Sequence, residues 1–144
     1  MGTDQTTVQH NVSAALARRM IDAGRAFAES KGGAFTVAIV DASGVLKALE
    51  RMDGAPLVSI QVAQDKAYTA AGFGIPSGAW HDFIKDDPPL AIGATDGIDR
   101  LVIFAGGFPI VVDGEIVGAV GVSGGHYSDD AAVAEAALAV VADD

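Results

Sequence analysis

Two histidines carry the chemistry this sequence could perform. His81 sits between Trp80 and Asp82, and His126 follows Ser123-Gly124-Gly125 and precedes Tyr127. An imidazole titrates near neutral pH, so either side chain can take or give a proton as a general acid or base. Either can equally be an ordinary loop residue. The third histidine, His10, lies in a polar N-terminal stretch and reads as solvated. Two cations stand out beside them: Arg51, in Arg51-Met52-Asp53, and Lys66, in Asp65-Lys66-Ala67-Tyr68-Thr69-Ala70. Each could hold a ligand carboxylate through a charge-assisted hydrogen bond. A plainer reading pairs Lys66 with an acid such as Asp53. Backbone N–H groups near Gly106, Gly107 and Ser123 to Gly125 could stabilise an enolate-like anion, or the glycines could simply relieve crowding. Trp80, Phe73, Phe83 and Phe108 are candidate walls, and Asp53 or Asp82 could orient a histidine.

Other chemistries are missing from the sequence. The chain has no cysteine, so it forms no disulfide and offers no thiolate. No pair of histidines has metal-ligand spacing, and no Walker, dinucleotide or nucleophile-elbow motif is present. No protein-ligated metal is expected. A net charge of −10 argues against nonspecific nucleic-acid binding and against anionic membranes. No signal peptide or membrane-spanning run is read, so a soluble, cytoplasmic protein is expected. Half of the 144 residues are hydrophobic but only 6% are aromatic. The abundant small side chains favour close helix–sheet packing and a flat surface suited to self-association.

These residues need a frame. Val12, Leu16, Met20, Ala23 and Phe27 recur at helical intervals over 12–30, with Asn11 or Ser13 as cap and Gly32-Gly33 as stop. Residues 35–40 and 45–52 read as strands joined by the turn Asp41-Ala42-Ser43-Gly44. Pro56 opens a second helix to about Ala71, with Ile60, Ala63, Ala67 and Ala71 inward. Residues 72–98 read as a long irregular segment with a short helix at 77–84, the kind of loop that serves as a lid. Residues 100–105, 108–112 and 115–122 read as three strands, the last two joined by Asp113-Gly114, a strong hairpin signal. Ser128-Asp129-Asp130 opens a final helix carrying Val133, Ala137, Val140 and Val141. This order predicts an α+β layer fold with an antiparallel sheet.

Five stretches together resemble the GlcG/HbpS-like family. They are Val37-Ala38-Ile39-Val40-Asp41 with Gly44, Arg51 to Ala55, Lys66 to Ala70, Gly106 to Ile110, and Ile116 to Gly124. That family also includes a C-terminal domain of some cobalamin adenosyltransferases. The resemblance spans residues 11–142 and implies a tail at 1–10 and one domain at 11–144. It further implies a profilin-like sandwich with a five-stranded antiparallel sheet flanked by helices, assembling as homo-oligomers from dimers to octamers. Some members bind haem and others sit beside glycolate or diol catabolism. An exported haem-sensing member carries a signal that is not seen here. Three readings follow. One is a protein binding haem or another anionic or aromatic small molecule of small-acid or aromatic catabolism. Another is a cofactor-free isomerase, tautomerase or lyase using His126, His81 and Lys66, with Arg51, Asp53, Trp80, Gly106, Gly107, Phe108, Ser123, Gly124 and Gly125 around the substrate. The last is a non-catalytic accessory oligomer. The absence of Cys-x-x-Cys-His excludes covalent haem attachment, and an axial ligand would be His81 or His126.

Overall fold

The computed structural model describes residues 4–142. Residues 1–3 and 143–144, at the ends of the expected tail and domain, lie outside that range. The first helix, α1 (Ala14–Ser30), is capped by Ser13, whose Oγ accepts from Leu16 N at 3.0 Å. Asn11 is used differently, accepting from Ala42 N across the first turn. The strands β1 (Thr36–Asp41) and β2 (Leu46–Arg51) pair antiparallel as expected. Their turn is held by Asp41, whose Oδ1 accepts from Ser43 N and Val45 N.

Pro56 stands just ahead of α2 (Ser59–Phe73), its carbonyl accepting from Ser59 N. The short helix expected at 77–84 is present as α3 (Ala79–Ile84), but the stretch after it, expected to be irregular, folds as a further helix, α4 (Pro88–Gly97). Pro88 and Pro89 fall in the segment read as irregular, yet Asp87 caps this helix and proline fits its first turn because no N–H is needed there. A second correction concerns 100–105, which is not a strand. Thr69 Oγ1 donates to the Arg100 carbonyl and accepts from Val102 N, so the side chain of α2 takes the groups a ladder would need.

The sheet therefore has four strands, not five. Its order is β2-β1-β4-β3, all antiparallel, with β3 (Gly107–Val112) and β4 (Glu115–Ser123) completing it. Their turn places both Asp113 (φ 51°) and Gly114 (φ 81°) in the left-handed region, as a two-residue type I′ hairpin requires. The last helix, α5 (Tyr127–Ala142), begins one residue before the expected Ser128.

Helices α1 and α5 cover one face of the sheet, and α2 covers the other. The α1/α5 side is an apolar core of Met20, Ile21, Val37, Ile39, Val120, Val122 and Val133 with their neighbours. On the other side Ala67 and Ala70 meet Val40 and Ala119. A Cβ at Gly121 would run into the Ala63 carbonyl oxygen, so glycine is what lets α2 lie this close to β4. Trp80, Ile84, Ala94 and Leu101 form a separate small core under α3 and α4.

Candidate functional site

A half-open groove of about 370 Å³ is lined by Gly78 and His81 of the α3 region, Ile103, Phe104 and Ala105 of the connecting segment, and Tyr127 at the start of α5. Ser77 fixes two of these walls together. Its Oγ donates to the Phe104 carbonyl at 2.7 Å and accepts from Gly107 N at 2.9 Å, while its own N–H donates to the Gly107 carbonyl. Gly78 then packs on Ala105, where a Cβ would come within 3.1 Å of that residue's Cα. His81 and Tyr127 are exposed on opposite elements, and the ring of Phe104 is 45% exposed between them. His126 stands beside this groove without lining it. Its ring packs on Tyr127 at 4.0 Å, and its Nδ1 lies 3.2 Å from Ser128 N and 2.8 Å from Ser128 Oγ.

Lys66 lies behind the groove wall and is completely buried. Its Nζ donates to the Val122 carbonyl at 2.9 Å and to Asp130 Oδ2 at 2.7 Å, and it sits 5.0 Å from the centre of the Phe104 ring. Asp130 Oδ1 accepts from Gly125 N at 3.0 Å. Burial lowers the Lys66 pKa from its ordinary value, and the hydrogen bond and charge of Asp130 oppose that shift. Gly106 makes room for this arrangement: at φ 130° it leaves open a place where a Cβ would lie 2.7 Å from Lys66 Nζ.

This network corrects several expectations. The partner of Lys66 is Asp130, not Asp53, because the side chain runs to the end of β4 at Val122, where the first turn of α5 places Asp130. A fully enclosed ammonium with two protein acceptors is closed to a substrate carboxylate. The N–H of Gly107 goes to Ser77 and that of Gly125 to Asp130, so neither is free to stabilise an anion.

Other candidates lie elsewhere. Arg51 donates from Nε and Nη2 to the Ala55 carbonyl at 3.1 and 2.9 Å, and with Asp53 it borders a different hollow beside Glu29 and Glu50. Trp80 is core rather than wall, with Phe73 and Phe83 set edge-on at 4.6 and 5.5 Å and its Nε1 without a hydrogen-bond partner among the described residues. Phe108 packs against the α1/α5 core, and Gly124 and Gly125 abut Phe35. Ser123 ends β4 opposite Thr36. Of the expected site residues, the structure puts only His81 in the groove, with His126 adjoining it and Lys66 behind it. Gly78, Phe104 and Tyr127 escaped sequence reasoning. The one available signal was Tyr127 following His126 at a helix start. No cluster of histidine and carboxylate side chains suited to a metal ion occurs among the described residues.

The family model described as "Haem degrading protein HbpS-like" matches residues 12–139. The chain belongs to the HbpS-like family. Protein GlcG of Escherichia coli K12 is 36% identical over 112 residues, covering 78% of this chain and 81% of that one. The crystal structure of HbpS superposes with a TM-score of 0.87 at 27% identity, covering 98% of this chain and 97% of the other. A PduOC:heme complex superposes with a TM-score of 0.84 at 28% identity, covering 91% and 95%. The HbpS-like fold is thus shared with a protein crystallised with haem. No helix among the described residues is long and apolar enough to cross a membrane.

Proposed function

We propose that this HbpS-like protein binds haem, or a similar flat apolar ring, in the groove between α3 and the start of α5. The observation that carries the reading is the joint exposure of His81 and Tyr127 on one groove whose remaining wall is Ile103, Phe104 and Ala105. The donor set fits the group. A histidine imidazole and a tyrosine phenol both serve as axial ligands of haem iron, and aliphatic and aromatic side chains suit the faces of a porphyrin. When bound, haem would supply a redox-active iron. His81 or Tyr127 would hold that iron, and Phe104 and Ile103 would shield the ring from water. Two cations assigned to ligand carboxylates do not take part, since Lys66 is sealed and Arg51 lies at another hollow.

Self-association belongs to the same reading. The groove is open along one side, and exposed Phe104 and Tyr127 on its rim would be covered by a second copy of the chain. A role in small-acid or aromatic catabolism is compatible with the likeness to GlcG. Titration with hemin provides the test. The expected result is a saturable Soret change, with affinity reduced at least tenfold in His81→Ala or Tyr127→Phe and unaltered in Arg51→Ala. An unsaturable response, or full affinity in both groove variants, would remove the groove from the account.

A further inference from the structure

Arg100 is held in place by more contacts than a surface arginine needs, and its terminal nitrogens have no hydrogen-bond partner among the described residues. Its backbone lies at φ 64°, in the left-handed region that glycine adopts freely and arginine does not. Thr69 enforces that conformation through its bonds to the Arg100 carbonyl and to Val102 N, each 3.0 Å. The guanidinium carbon sits 4.0 Å from the centre of the Tyr68 ring, and that ring is pinned from its other neighbour by Gly44, where a Cβ would lie 2.8 Å from Tyr68 Cδ2. Arg100 Nε donates to Asp65 Oδ1 at 2.8 Å. Asp65 is itself buried, and its second oxygen is taken by Gln61 Nε2.

Four residues of α2 therefore orient one side chain that stays 41% exposed. The bond to Asp65 uses only Nε, and neither Nη1 nor Nη2 hydrogen-bonds among the described residues. An oriented guanidinium with a free pair of N–H donors is the geometry that recognises carboxylate and phosphate oxygens two at a time. Backbone strain of this kind persists where the surroundings over-determine it, as they do at binding sites. We infer that Arg100, on its Tyr68–Asp65 platform, is a binding site for a small oxyanion, carboxylate or phosphate. It is distinct from the groove of His81 and does not depend on haem binding.

The test is a titration of the arginine Nε–H and backbone amide NMR signals of the full chain. Sodium acetate and inorganic phosphate are added in separate arms at constant ionic strength, with chloride as reference. Saturable shifts of Arg100 Nε–H and of Tyr68 and Thr69 amides are expected with an oxyanion and not with chloride. Saturation by acetate alone identifies a carboxylate ligand, and by phosphate alone a phosphate one. Arg100→Lys keeps the charge but loses the fork, and should weaken binding at least tenfold while the rest of the spectrum is retained. Equal shifts with chloride, a linear response to both oxyanions, or undiminished affinity in Arg100→Lys would overturn the site and leave Arg100 a clamp on the 98–102 turn. Should Arg100→Lys not fold, the wild-type titration against chloride decides alone.

Discussion

On one face of the sheet, α1 and α5 lay Met20, Ile21 and Val133 on Val37, Ile39 and Val120. On the other face, α2 brings alanines, and among them a buried lysine, a buried aspartate and a buried threonine. The first face is held by apolar area, which is insensitive to direction. The second is held by directed bonds: Lys66 ties α2 to β4 and α5, Thr69 and Asp65 tie it to Arg100, and Ser77 ties the start of α3 to β3. The contrast teaches a division of labour. One face keeps the domain folded, while the other sets the positions of the segments that carry His81, Phe104 and Tyr127.

Removing Asp130 should break this contrast most severely. Asp130→Asn leaves a buried ammonium without its counter-charge, and a loss of about 3–5 kcal/mol is expected in urea unfolding. The paired change Lys66→Met with Asp130→Leu should recover most of that loss, since neither member of the pair then carries a charge. On the apolar face Met20→Ala should cost about 2–5 kcal/mol through the cavity it leaves. It should leave hemin affinity nearly unchanged once the protein is folded. Ser77→Ala is expected to cost less, about 1–3 kcal/mol, because it orphans the buried Gly107 N–H. Unlike Met20→Ala, it should weaken hemin binding several-fold by freeing the Phe104 segment.

The smallest effect is on pH. Because burial lowers the Lys66 pKa, the folded chain releases this proton at lower pH than the unfolded chain does. Between those two values the unfolded state holds more protons, so this group's contribution to stability rises with pH and falls away as pH drops through the folded pKa. A titration of the lysine side-chain carbons by NMR should show Lys66 losing its proton before the exposed lysines.

Much of the frame was legible in the residues. Helical spacing from Leu16 to Met20, the Asp113-Gly114 turn and the strand-like runs on either side follow local rules, and the structure obeys them. The two errors have different sources, one a long-range bond and the other a local cap. Residues 100–105 have strand-like side chains, but their partner is the hydroxyl of Thr69, thirty-odd positions away and invisible to any local pattern. Pro88-Pro89 was ambiguous because proline both ends helices and begins them, and Asp87 decides the matter by capping.

The site was less legible than the fold. Lys66 stood out as a cation on an alanine-rich helix, but its partner Asp130 lies 64 positions on, and only the placement of α5 brings the two together. Glycines at 107 and 125 looked like open N–H donors. Their bonds to Ser77 and Asp130 are side-chain contacts that no spacing rule reports. Tyr127 and Phe104 became candidates only once two chain segments met across a groove.

The most direct measurement is a crystal structure of the hemin-loaded protein, with iron located by its anomalous scattering. An iron position within bonding distance of His81 or Tyr127, with Phe104 against the ring, is the predicted result. Iron bound at His10, at His126 alone, or in the hollow beside Arg51 and Asp53 would contradict it.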